Sequence, residues 1–127
     1  WDKGQRINQS DGELAYTSID GALRIFTMNR VAIMTDGAVH PTQKPVQLMK
    51  WCIQQVPPPA DTILDPFMGS GSTGVAAAHL GRRFIGIERE ATYYEHACRR
   101  ITEAMNQPDM FVTPPSPEPE QLTLEAQ

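Results

Sequence analysis

The spacing of apolar residues divides the chain into short strands and longer helices. Helical spacing predicts a helix from about Pro45 to Val56, because proline suits a first turn and the prolines at 57–59 end the helix. Its apolar positions are Val46, Met49, Cys52, Ile53 and Val56. A second helical period begins near Glu90. The apolar face of that helix is predicted to hold Tyr94, Ala97, Cys98, Ile101 and Met105.

Two strand-like stretches lie between these helices. DTILD at 61–65 and RFIGIE at 83–88 read as strands, and the small-residue stretch STGVAAAHLG at 72–81 reads as a helix between them. Strand, turn, helix, strand, helix is the order of a parallel pair with a right-handed crossover. We therefore predict an α/β fold for residues 40–106.

The region before residue 40 has a different pattern. Three stretches rich in β-forming residues, ELAYTS at 13–18, ALRIFTM at 22–28 and VAIM at 31–34, are separated by Gly, Asp and Asn. This pattern predicts a β-hairpin region over residues 1–39. The chain opens at Trp1 without a lead-in to a first element, and we expect an earlier segment in the natural protein.

Charge and proline set the last residues apart. Residues 107–127 are rich in proline and carry acidic side chains but no Lys or Arg, so they supply the whole net charge of -4. We predict a disordered tail there. The body is neutral, which neither indicates nucleic-acid binding through clustered basic residues nor excludes it.

The cysteines and the apolar runs indicate an intracellular protein. Cys52 and Cys98 fall on the apolar sides of predicted helices, where reduced cysteine behaves as a small hydrophobe, so a disulfide is not expected. No apolar run approaches the ~20 residues of a membrane span. The N-terminus shows no secretory pattern, so we expect a cytoplasmic protein with no membrane partner.

The stretch LDPFMGSGSTG at 64–74 carries the main chemical signal. Glycines 69 and 71 let a ligand approach the backbone closely, and the following helix offers free N–H groups at the same place. Glu88 ends the next strand seventeen residues after Gly71, near the spacing of a carboxylate that binds ribose hydroxyls. The pattern favours an adenosine-type ligand, although a plain tight connection is the alternative.

Asp65 distinguishes between two such ligands. A dinucleotide places its pyrophosphate against the glycines, where an acidic side chain repels it. S-adenosylmethionine carries a sulfonium and an α-amino group, which the same carboxylate attracts. We therefore predict S-adenosylmethionine as cofactor and keep an NAD-type binding fragment as the alternative.

Three motifs together carry a resemblance. HPTQKP at 40–45, DPFMGSGST at 65–73 and FIGIE at 84–88 resemble, in that order, the carboxyl-terminal half of the amino-group DNA methyltransferases that modify adenine N6 or cytosine N4. WDKG and SDGELAYTS resemble the segment after the catalytic strand in phage and bacterial members of the permuted β class. The resemblance covers nearly all of residues 1–105 and implies part of a Rossmann-like S-adenosylmethionine-dependent methyltransferase fold.

The resemblance also implies roles for individual residues. Asp65 is expected near the methionine amino group, Glu88 at the ribose hydroxyls, and Lys44 at the methionine carboxylate. His40 is expected to shape its turn or to donate a hydrogen bond. The full set implied to bind the cofactor is His40, Thr42, Gln43, Lys44, Asp65, Phe67, Gly69, Ser70, Gly71 and Glu88.

The family's catalytic motif is not present in these 127 residues. In the family, a short polar residue, two prolines and an aromatic hold the flipped base. VPPPA and TPPSP lack both the Asp, Asn or Ser of this motif and its aromatic residue. We predict no catalytic residue and no metal ligand in this chain. The intact parent protein is expected to methylate an exocyclic amine of double-stranded DNA, most simply adenine N6, in a restriction-modification setting. The chain alone is expected to be inactive, and a non-catalytic S-adenosylmethionine-binding or interaction module is the alternative.

The tail carries one further pattern. QPDMF at 107–111 spaces Gln107, Met110 and Phe111 like short peptides that dock into sliding clamps. Tails with apolar anchors bind folded partners, so a sliding clamp is a candidate partner. The residues between Ala22 and Val39 leave room only for a short DNA-recognition segment.

Overall fold

A computed structural model describes residue 2 and residues 12–28, 43–57 and 60–107. Within these ranges the chain forms three helices and two strands. They are α1 (Val46–Gln54), β1 (Thr62–Asp65), α2 (Ser72–His79), β2 (Arg83–Gly86) and α3 (Ala91–Asn106). Each lies inside its predicted stretch, so the predicted order of elements is confirmed.

The two strands pair in parallel, as predicted. Thr62 lies opposite Arg83, and Asp65 lies opposite Gly86. Side chains alternate between the two faces of the sheet, and Ile63 packs with the helices on one face. On the other face, Leu64 and Ile85 are 61% and 54% exposed. The described residues therefore cover only one face of the sheet.

Small side chains bring the helices together. Ala76 and Ala77 of α2 and Ala97 of α3 have no exposed surface. A Cβ added to Gly71 would lie 2.8 Å from the Cβ of Ala97, so the start of α2 lies directly against α3. This close approach depends on the absence of larger side chains at the contact.

The buried faces of α1 and α3 differ in part from the predicted ones. Tyr94 and Met105 were assigned to the apolar face of α3 but are 48% and 71% exposed, while Ala104 is buried. The small residues of α2 select the neighbouring face of α3, because only short side chains fit between the helices. In α1, Val46 and Ile53 are buried as predicted, and Leu48 is buried although it was not predicted.

Within its described residues, 2 and 12–28, the predicted hairpin region forms only isolated bridges. Asp2 forms an antiparallel bridge to Gly12 and a parallel bridge to Thr27, and no strand forms over residues 12–28. The strands predicted at 13–18 and 22–28 are therefore not formed, and among the described residues no strand covers their apolar side chains. The exposed side chains there include Leu14, Tyr16, Leu23 and Ile25.

One aromatic contact fixes this region to the helices. The rings of Phe26 and Trp51 lie 5.5 Å apart between centroids, at an interplanar angle of 40°. The strand predicted at 31–34 and nearly all of the tail predicted over 107–127 lie outside the described residues.

Both cysteines are free and half-buried. Burial raises the pKa of the Cys52 thiol, as expected for a reduced cysteine packed on a helix. Among the described residues, no helix has the length and apolar character required to cross a membrane.

Gly71 provides a test of the α2–α3 contact. Gly71→Ala is expected to lower the free energy of unfolding by about 3 kcal/mol, because a β-carbon is strained at its φ of 80° and also collides with Ala97. Gly81→Ala is the matched control: its φ is 63°, but no atom lies within 4 Å of the added carbon, so only the backbone cost of about 1 kcal/mol remains. Urea denaturation measures both, and equal losses would contradict the proposed contact.

Candidate functional site

The glycine-rich connection lies at the carboxyl end of β1. It begins after Asp65, and Gly71 caps α2 in the left-handed conformation. The Gly71 N–H donates to the Met68 carbonyl at 2.8 Å, which closes a tight turn. Gly69 has a φ of 51°, and no non-glycine residue of the described chain has positive φ. The φ angle is positive at Gly69 and not at Ser70, and a tight turn with positive φ at its first central position favours glycine there.

Backbone hydrogen bonds continue past the end of the sheet and join this turn to the chain after β2. The Ile87 N–H donates to the Asp65 carbonyl at 2.9 Å, and the Met68 N–H donates to the Ile87 carbonyl at 3.0 Å. These bonds place Asp65, the turn and Glu88 at one edge of the sheet. Ligands of open α/β sheets bind at this edge, beyond the carboxyl ends of the strands.

Glu88 links the turn to the start of α3. Its Oε2 accepts a hydrogen bond from the Gly69 N–H at 2.9 Å, and its Oε1 accepts one from the Glu90 N–H at 2.9 Å. Each carboxylate oxygen can accept more than one hydrogen bond. Glu88 can therefore hold the turn and accept from a ligand hydroxyl at the same time.

Asp65 and Phe67 form the other side of the turn. The Asp65 Oδ1 accepts from the Phe67 N–H at 3.0 Å, which orients the half-buried carboxylate along the turn. The Phe67 side chain is 88% exposed. An acidic group and an exposed apolar ring thus stand next to each other at the glycine turn.

The residues before α1 are placed only in part. His40 and Thr42 lie outside the described residues, whereas Gln43 and Lys44 immediately precede the helix. The Lys44 ammonium forms an ion pair with Glu13, whose side chain, like that of Lys44, is about two-fifths exposed. Lys44 therefore contacts a carboxylate, but one that belongs to the chain.

Arg100 is a site residue that the sequence analysis missed. Its Nη1 donates to the Ser70 carbonyl at 2.7 Å and lies 3.5 Å from the Ser72 hydroxyl. Both serines are buried. Arg100 lies thirty residues after Ser70 in the chain, and the HACRRI stretch in which it occurs resembles an ordinary charged helix face.

A cavity of about 480 Å³ lies elsewhere, among the three helices. Its lining includes Val46, Lys50, His79, Arg100 and Glu103, but neither Asp65 nor Gly69 nor Glu88. We assign the site to the glycine turn rather than to this cavity, because the paired carboxylates and the open backbone converge at the turn.

The shifted pKa values belong to groups away from the turn. Hydrogen bonding to Arg83 lowers the pKa of Asp61, at the opposite end of β1. Burial lowers the pKa of His96, and the charges of Arg99 and Arg100 lower it further. Among the described residues, no cluster of His, Cys, Asp or Glu is arranged to hold a metal ion.

A known family model matches most of the chain. Residues 6–99 match the N6/N4-type family model described as DNA methylase. The match spans the glycine turn, both strands and the first half of α3. It covers about three quarters of the chain.

Individual relatives agree with this match. The chain is 53% identical over 68 residues to the type II methyltransferase M2.DpnII of Streptococcus pneumoniae, and 46% identical over 70 residues to the type II methyltransferase M.HinfI of Haemophilus influenzae. These matches cover 54% and 55% of this chain but only 25% and 20% of the relatives. The chain thus spans a quarter or less of the curated relatives that it matches.

A solved structure has a similar fold. The crystal structure of the M1.HpyAVI–SAM complex matches with a TM-score of 0.52 and 40% sequence identity, over 68% of this chain and 41% of that chain. This similarity confirms the predicted fold class, a portion of a methyltransferase α/β fold.

Proposed function

The chain belongs to the DNA methylase family, and on that premise we propose that it forms the S-adenosylmethionine-binding portion of a DNA methyltransferase. The observation that carries this proposal is the position of Asp65 and Glu88 on either side of the glycine turn. Hydrogen bonds of 3.0 Å and 2.9 Å orient both carboxylates from the turn backbone. The methyl donor supplies an activated methyl group, and the chain supplies its orientation.

The charges at this site fit S-adenosylmethionine better than NAD. Asp65 attracts the sulfonium and the α-amino group of the methionine moiety and repels a pyrophosphate. Glu88 accepts hydrogen bonds from the ribose hydroxyls, as an acid after the second strand does in nucleotide sites. Phe67 offers an exposed apolar ring, and Gly69, beside which an added β-carbon would meet no atom within 4 Å, leaves room for the ligand.

We assign the methionine end of the donor to the segment before α1. Lys44 pairs with the donor carboxylate, and Thr42 and Gln43 close over the methionine moiety with it. His40 has a turn-forming or hydrogen-bonding role in the same segment. The ion pair to Glu13 supports a carboxylate-binding role for Lys44. It also implies that the donor displaces Glu13 when it binds.

The catalytic motif is proposed to lie outside these 127 residues, in the intact protein. The matched relatives are four to five times longer than the matched region, which leaves room for a catalytic half. The apolar side chains on the open face of the sheet, Leu64 and Ile85, suit coverage by the rest of such a domain. The intact protein then flips an adenine from double-stranded DNA and methylates N6, in a restriction-modification setting.

A non-catalytic S-adenosylmethionine binder is the second candidate. The observation that favours it is the lack of any polar residue, two prolines and an aromatic in succession within the sequence. Both candidates share the same cofactor site, and both are proposed to act in the cytoplasm, where methyl donor and DNA meet in bacteria.

Isothermal titration calorimetry of the 127-residue chain tests the cofactor assignment. S-adenosylmethionine is expected to bind, and Asp65→Asn is expected to weaken binding about tenfold by removing the charge next to the sulfonium and the amino group. Asp61→Asn is the matched control, at the opposite end of β1 and paired with Arg83. Tighter binding of NAD, or equal affinities of the two variants, would contradict the assignment.

A methyl-transfer assay distinguishes cofactor binding from catalysis. The 127-residue chain is expected to transfer no labelled methyl group from S-adenosylmethionine to DNA, because it lacks the base-holding motif. A contaminant-free preparation that methylates DNA would show this proposal to be wrong.

The sliding clamp remains a proposed partner of the tail. Gln107 is exposed directly after α3, while Met110 and Phe111 lie outside the described residues. A clamp pull-down is expected to retain the chain and to lose the Phe111→Ala variant. Equal retention of both would indicate non-specific adhesion.

A further inference from the structure

One cationic side chain contacts the candidate cofactor turn from the third helix. Arg100, half-buried on α3, donates from Nη1 to the Ser70 carbonyl at 2.7 Å and lies 3.5 Å from the Ser72 hydroxyl. A hydrogen bond from a guanidinium to a carbonyl belongs to the charge-assisted, stronger class. Because Ser70 is buried, this bond is also shielded from competing water.

The carbonyl that Arg100 binds lies in the central part of the glycine turn. Gly69 and Ser70 are the two central residues of the turn that the Gly71-to-Met68 bond closes. The Ser70 carbonyl and the Gly71 N–H belong to one planar peptide group, so they point in opposite directions. A fixed Ser70 carbonyl therefore also fixes the Gly71 N–H, which closes the turn at the Met68 carbonyl.

Opposite charges hold the first and the third peptide groups of this turn, Met68–Gly69 and Ser70–Gly71. The Glu88 carboxylate accepts from the Gly69 N–H at 2.9 Å, and the Arg100 guanidinium donates to the Ser70 carbonyl. Glu88 and Arg100 both come after β2 in the chain. The segment from Glu88 through α3 therefore contacts the turn from two sides. Gly71 packs directly against Ala97, one helical turn before Arg100 on α3.

We propose that Arg100 is a positioning residue for the S-adenosylmethionine site: it holds the Ser70 peptide in the orientation that receives the methyl donor, without touching the donor itself. This inference rests on the proposed cofactor site. Without the guanidinium, the Ser70–Gly71 peptide loses a hydrogen bond that holds it, the turn opens in part of the molecules, and the donor must bind the fraction in which the turn is closed. The apparent affinity then falls in proportion to that fraction.

Arg99 provides a matched control on the adjacent position. It is an exposed residue of the same helix, and its Nη2 lies 3.0 Å from the Nδ1 of His96 rather than at the turn. Arg99→Met and Arg100→Met remove the same charge and the same donors. Only the second removes the bond to Ser70.

The experiment measures the dissociation constant of S-adenosylmethionine for the full 127-residue chain by calorimetry. Urea unfolding of each variant, at the temperature of the titration, shows that the variant is folded there. Arg100→Met is expected to raise the dissociation constant about tenfold, and Arg99→Met is expected to leave it unchanged. Arg100→Lys, which keeps a charge but not the planar fork, is expected to fall between them. If Arg100→Met does not fold, the comparison of Arg100→Lys with Arg99→Lys decides the question.

A purely structural role gives a different result. In that case Arg100→Met lowers the stability but the folded molecules bind the donor with unchanged affinity, and the inference is overturned while the cofactor site stands. Absence of binding by the unaltered chain overturns the cofactor site and the inference together.

Discussion

The Glu88 carboxylate is the interaction on which the rest of the site depends. By accepting the N–H groups of Gly69 and Glu90, it joins the turn after β1 to the segment between β2 and α3. Hydrogen bonds to a charged acceptor are stronger than those between neutral groups. The turn and the third helix are thus held in one arrangement, with a carboxylate at the centre of the candidate site.

The small residues of α2 make this arrangement possible. Gly71 and Gly74 lie where a β-carbon would collide with α3 or β2, and Ala76 and Ala77 are fully buried. The helix after the turn therefore sits close enough to α3 for Arg100 to reach the Ser70 carbonyl. The close packing of α2 on α3 and the hydrogen bond from Arg100 to Ser70 depend on each other, because a larger residue in α2 would separate the guanidinium from the turn.

The order of elements and the acidic residues of the turn were predictable from sequence, because both depend on local spacing. Strand, glycine turn and helix follow from β-branched residues, positive-φ glycines and small helical residues in adjacent segments. Asp65 and Glu88 were identifiable because Asp65 ends β1 and Glu88 follows closely after β2, and parallel strands bring their carboxyl ends together. Their assigned roles at the cofactor remain predictions.

Features that depend on distant contacts were not predictable in this way. Arg100 contacts a carbonyl thirty residues earlier, and one arginine among three basic side chains of α3 gives no sequence signal of that contact. The buried face of α3 was misplaced at Tyr94 and Met105, because the packing partner selected alanines over larger apolar residues. The stretches at 13–18 and 22–28 have strand-forming residues but pair with no strand among the described residues, so propensity alone was misleading there.

We propose that the glycine turn, with Asp65 and Glu88, holds S-adenosylmethionine. Amide chemical shifts of the isotope-labelled chain, recorded during titration with S-adenosylmethionine, locate the binding site. The largest changes are expected on residues 65–71 and 87–90. Changes confined to the residues of the inter-helix cavity, such as Lys50 and His79, or no changes at all, would contradict it.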